Sequence, residues 1–106
     1  MRMSFTGKQL FMEHRQDVWE MVEAVKEDAD PEKPVVTVAG VDAEEIEAAE
    51  LDCTNVLRGE PTRVREYLAT GDASVMKLED GRDLREPFVR YAALVEKFEE
   101  EFAARP

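Results

Sequence analysis

The residue pattern predicts an α-rich α+β domain of about four helices with a minimal two-stranded β element; an all-α bundle is the alternative. Three observations lead there. Apolar residues recur three and four apart in long stretches near both ends, the period of a helix with one buried face. Two short β-branched runs, each beside a turn signal, read as strands. The length, 106 residues, suits one compact core and is short for two, so residues 1–106 are read as a single small acidic domain.

The first helix runs from Gly7 to about Lys26, with Leu10, Phe11, Val18, Met21, Val22 and Val25 on one face and Glu13, Glu20, Glu23 and Glu27 mostly on the other. Residues 28–34 contain two prolines, which remove backbone donors and bias their predecessors away from helix, so the chain leaves the helix there. Val35, Val36, Thr37 and Val38 form the first expected strand, closed by Ala39 and Gly40. Asp42 then opens a helix as its N-cap, with Glu45 three residues on to complete a reciprocal pair. Ile46, Ala49, Cys53 and Val56 or Leu57 make its inner stripe, and Arg58 with Gly59 supplies a cationic last turn and a left-handed cap.

Pro61 occupies the first position of a shorter helix carrying Val64, Tyr67 and Leu68, which Gly71 and Asp72 end. Val75 to Leu78, followed by the turn signal Asp80-Gly81, is the second strand, read as one half of a hairpin and as the expected partner of residues 35–38, since a lone strand leaves its amides unpaired. The last helix is the clearest. Leu84, Phe88, Tyr91, Val95, Phe98 and Phe102 follow a 4-3-4-3-4 spacing, with Asp83 as cap and Pro87 within the tolerated first turn. The motifs point to no particular family.

Charge limits the function classes. The chain holds 25 Asp and Glu against 14 Lys and Arg, a formal net charge of -11, which repels nucleic acid and anionic membranes and attracts basic protein surfaces. Glu outnumbers Asp 17 to 8, Arg outnumbers Lys 9 to 5, and Ile occurs once. This composition fits adaptation to strong salt, because dense carboxylates stay hydrated while Lys stems expose apolar surface. A nucleic-acid-mimicking inhibitor and an ordinary acidic protein are the rival readings. Cys53 is the only cysteine, so no disulfide forms within the chain, and with neither a signal-like apolar start nor a run of 18 apolar residues the expectation is a cytoplasmic location.

Catalytic chemistry finds little support. His14 is the single histidine; Glu13, Asp17 and Asp28 are its nearest acidic companions, and a carboxylate-bridged centre in a helix bundle needs Glu-to-His pairs on two helices. Cys53, Ser4 and Ser74 lack a flanking base or a glycine elbow, and the glycines lie singly, so neither a nucleophile nor a phosphate loop is indicated. No cofactor or metal is expected.

The charge distribution is more informative. Residues 1–57 hold 14 acids and 5 bases, whereas residues 58–90 hold 7 of each and are rich in arginine. Arginine with aromatics is enriched at protein contacts, which nominates Arg63, Arg65, Tyr67, Arg85, Phe88 and Arg90; the bland alternative is local pairing with Glu60, Glu66, Asp83 and Glu86. Trp19, with Phe5, Phe11 and Met12, is a further candidate anchor, or else closes the core. Phe98 and Phe102 have two possible placements. Either they pack on Phe11, Val18 and Val22, or they project as aromatic knobs among Glu96, Glu99, Glu100 and Glu101.

The function expected is therefore a non-catalytic protein-protein interaction module, such as an acidic adaptor, regulatory subunit or assembly component, and salt-adapted. Its partner is another protein, with a basic surface favoured, or a second copy of itself; nucleic acid and membrane are not expected. The alternatives are the nucleic-acid mimic and a small enzyme or ligand carrier with an apolar pocket between helices.

Overall fold

The computed structural model describes residues 7–103, and within them the chain is all-α. Four α-helices are present: α1 (Gly7–Glu27), α2 (Ala43–Gly59), α3 (Pro61–Thr70) and α4 (Glu86–Ala103), with a 3-10 turn at Ala73–Met76 between the last two. Helices α1, α2 and α4 pack against one another, and α3 closes one side of the α1–α2 pair.

The helical period decides which faces are buried. On α1, Phe11, Val18, Met21, Val22 and Val25 are all 3% exposed or less, while Glu13, Glu20, Glu23 and Glu27 face solvent. The end of α1 is sealed by Lys33, whose Nζ donates to the carbonyls of Val25 at 2.9 Å and Asp28 at 3.3 Å, groups that the last turn leaves without helical donors. On α2 the inner stripe contains Ala49, Cys53 and Leu57 as expected, and Ile46 and Val56 pack at its edge. Two polar residues share that face. Thr54 is buried by donating its hydroxyl to the Glu50 carbonyl one turn back at 2.9 Å, and Glu50, 5% exposed, accepts the Tyr91 hydroxyl at 3.1 Å. The Tyr91 ring in turn stands edge-on to Phe11 and tilted against Trp19, each at 5.7 Å between centroids, so α4 is keyed to α1 and α2 through one side chain.

The helix ends follow local chemistry with two adjustments. Asp42 has extended backbone and caps α2, but its carboxylate accepts from the amide of Glu44, at 2.8 Å, one residue nearer than the expected pairing with Glu45. Gly59 is not left-handed: the corner between α2 and α3 is made by Glu60, whose amide reaches the Val56 carbonyl at 2.8 Å, with Pro61 starting α3 immediately after it. Gly71 ends α3 in the left-handed region at φ 70°, closing onto the Tyr67 carbonyl.

The two-stranded element does not form. Residues 35–38 have no strand geometry and Val35 is 92% exposed, so β-branched composition there expresses a local extended preference without a partner. The segment expected to pair with it pairs with its own continuation instead. The turn at Asp80-Gly81, with Gly81 at φ 94°, folds residues 76–84 back on themselves through Leu78 N–H to Arg82 O at 2.8 Å and Leu84 N–H to Met76 O at 2.7 Å, leaving a single antiparallel bridge between Lys77 and Asp83. Helix α4 correspondingly starts at Glu86, with Leu84 still in the folded-back loop and Pro87 in the first turn. None of its helices is long and apolar enough to cross a membrane, among the described residues.

Candidate interaction surface

The nine residues nominated as contact candidates separate into three groups. Tyr67, Arg85 and Phe88 are interior, at 2%, 0% and 0% exposed. Trp19 is half-buried on Tyr91, and Arg63 is half-buried, held by Glu60 at 3.2 Å and by the Val75 carbonyl at 2.9 Å. Arg65 and Arg90 are exposed, as are Phe98 and Phe102. Phe5, offered as a companion of Trp19, lies outside the described residues.

Arg85 shows why an arginine-rich sequence segment need not be an arginine-rich surface. Its Nη1 donates to Asp28 at 2.6 Å and lies 3.2 Å from Asp30. Its Nε and Nη2 clasp Asp83, the shorter contact being 2.6 Å, and Nη2 also reaches the Glu32 carbonyl at 3.5 Å. Four of the five N–H groups of the guanidinium are thereby spent on Asp83, Asp28 and Glu32, with Asp30 beside Nη1 as a further ion pair, and two loops are fastened together. Burial by itself disfavours the charged guanidinium, yet Asp83 and Asp28 hold its pKa above the ordinary value. Around this centre Tyr67 donates its hydroxyl to Asp28 at 2.8 Å, and Lys77 joins Asp30 at 3.0 Å and Glu32 at 2.7 Å. The sequence hint for the cluster was present in the carboxylates of residues 28–32 and 80–83, but their distance along the chain from one another concealed it.

Cys53 and His14, the other side chains weighed for chemistry, have separate surroundings. Cys53 is fully buried and its thiol pKa is raised, by burial first and by Asp52 and Glu50 next, which opposes nucleophilic thiolate chemistry. His14 lines an open groove of about 350 Å³ with Asp17, Leu57, Pro61, Val64 and Arg65. Among the described residues, no three His, Cys, Asp or Glu side chains are grouped to hold a metal ion.

The far end of α4 is different. The apolar stripe that buries Phe88, Tyr91 and Leu94 continues in register to Phe98 and Phe102, but those two rings are 50% and 66% exposed. They do not join the core with Phe11, Val18 and Val22. The rings stack on each other instead, with centroids 6.2 Å apart and planes 20° from parallel. Glu99 and Glu101 flank them on the helix, whereas Glu96 and Glu100, each two residues from Phe98, turn away from the ring face; all four are exposed, Glu96 meets Lys26 at 3.5 Å and Glu100 meets Lys97 at 3.9 Å. Leu94, which the heptad reading left out, is fully buried, so the core holds α4 through a wider face than a coiled-coil seam and releases it at its last two turns. In comparisons with protein-family models, with curated proteins and with solved structures, nothing matched this chain.

Proposed function

We propose that this chain is a non-catalytic protein-interaction module that works through the projecting end of α4. The single observation behind the reading is the exposed, mutually stacked Phe98–Phe102 pair on a helix whose earlier turns are fixed in the core. Large aromatic side chains tolerate water poorly, and a rigidly anchored helix presenting them at helical spacing is the form in which an anchor residue enters a groove. The interior chemistry supports the same direction: the guanidinium of Arg85 is held by Asp83 and Asp28 and the thiol of Cys53 is sealed. The acidic composition is read as salt adaptation of the remaining surface.

A photocrosslinking amino acid placed at Phe98 tests this in the native cytosol. A discrete covalent adduct with one protein, lost when the crosslinker is moved to Thr62 on α3, is the expected result. A diffuse smear at both positions, or no adduct at position 98, overturns the reading.

A further inference from the structure

We infer that the occupant of the α4 end is a different protein presenting an apolar stripe or groove rimmed by lysine and arginine, rather than a second copy of this chain. The inference rests on the interaction reading above and concerns the chemistry of the partner.

Area argues first. Phe98 is half exposed and Phe102 two-thirds exposed; with about 200 Å² for a phenylalanine, the two rings offer roughly 230 Å² of surface. A twofold contact centred on this pair buries the same patch on each copy, on the order of 500 Å² in all, whereas stable interfaces bury about 1,200–2,000 Å². A groove gains more from the same knob, because it also covers the flanks of the helix where the glutamates stand.

Charge argues in the same direction. Residues 96–102 carry four glutamates and one lysine. In a self-paired contact Glu99 and Glu101 of each copy meet those of the other, setting four carboxylates beside four rings, on chains that each carry a formal -11. The cations of α4 are Lys97, which meets Glu100, and exposed Arg90, so two copies bring four cations against the eight glutamates of their residues 96–102 and do not offset them. A basic rim turns these flanks from a repulsive element into an attractive one, so Phe98 and Phe102 supply the anchor and Glu99 and Glu101, backed by the acidic field of the neighbouring glutamates, select the partner's sign.

The test uses the intact chain and two labelled 18-residue amphipathic helical peptides, one of leucine and lysine and one of leucine and glutamate, with binding read by fluorescence anisotropy and self-association by sedimentation. The lysine peptide is expected to bind at least tenfold tighter than the glutamate peptide. Phe98→Ser with Phe102→Ser should weaken it at least tenfold, and Glu99→Gln with Glu100→Gln and Glu101→Gln should weaken it about tenfold. Circular dichroism on each variant checks that helix content is kept. Lysine-peptide binding that ignores the two phenylalanines reflects the general acidic field and overturns the inference. A wild-type dimer that Phe98→Ser with Phe102→Ser dissolves also overturns it, in favour of a second copy, while leaving the interaction reading standing. Loss of that reading itself is seen separately, as the absence of a photoadduct from position 98.

Discussion

The Nη1 of Arg85 lies 2.6 Å from Oδ2 of Asp28, with the arginine side chain fully shielded and the aspartate 8% exposed. This contact joins the loop after α1 to the start of α4 across 57 residues, and Asp83 and Asp30 complete it. Its value to the fold lies in completeness, since a shielded charge is tolerated only while its partners are in place.

Arg85→Met should therefore lower unfolding stability by about 3 kcal/mol, the lower end for a broken buried pair because Asp83 and Asp30 keep an edge in water. Arg85→Lys should restore little, as an ammonium cannot make the forked contact to Asp83 while reaching Asp28. Urea unfolding of both variants and of Arg85→Met with Asp28→Asn checks this. The double variant should lose less than the sum of its singles.

Asp28 contributes to both limits of the pH range. Burial pushes the Asp28 carboxyl up, but the Asp30 amide, Arg85 and Tyr67 together hold it below its ordinary 3.8. A folded value below the unfolded one contributes stability above pH 3.8 that disappears as pH falls through the folded value. Tyr67 has the opposite sign. Burial and then the Asp28 carboxylate raise its phenol above the ordinary 10.0, so its contribution is complete below pH 10.0 and is lost as pH rises toward the folded value. Urea midpoints across the pH range should show a plateau between these limits. In Asp28→Asn the acid limb should become shallower, and an unchanged limb would exclude Asp28 as its source.

Asp42→Ala should cost about 0.5–2 kcal/mol, because the Glu44 amide loses its acceptor in the first turn of α2. Glu45→Ala should cost less, since the cap bond does not involve it. Thermal unfolding of the two variants side by side gives the comparison.

Added salt should raise the melting temperature. Residues 1–57 carry nine more acids than bases, and most of these acids are exposed on α1 and α2, where repulsion is screened as the Debye length falls from about 10 Å at 0.1 M to about 3 Å at 1 M. The shielded Arg85 contacts respond much less. A melting temperature that is flat or falls from low to molar salt would remove the salt-adaptation argument.

What the sequence made legible was what is local. The spacing of Phe11, Val18, Met21, Val22 and Val25 identifies α1 nearly to its ends, Asp42 and Pro61 mark where α2 and α3 begin, and Gly71 marks where α3 stops. The strand at residues 35–38 failed because a sheet needs a partner, and the candidate partner is already paired nearer by, donating from Leu78 to the Arg82 carbonyl and accepting at the Met76 carbonyl from Leu84. Arg85 was misplaced for a related reason: its residue type and neighbours suit a surface, and only the approach of the loop at residues 28–32 makes an interior of its site. The period left two placements open for Phe98 and Phe102 along α4, because an apolar stripe records which face a residue occupies and not whether another helix is there to meet it.

Cys53, sealed beneath α2 and the chain's sole thiol, gives the molecule a built-in clock. Reagent cannot reach the sulfur while the helices are closed, so each labelling event must follow an opening of the core, and the labelling rate at low reagent counts those openings without any engineered probe. Because Cys53 belongs to the packed cluster, which does not include the exposed aromatic pair, that rate separates breathing of the body from events at its tip.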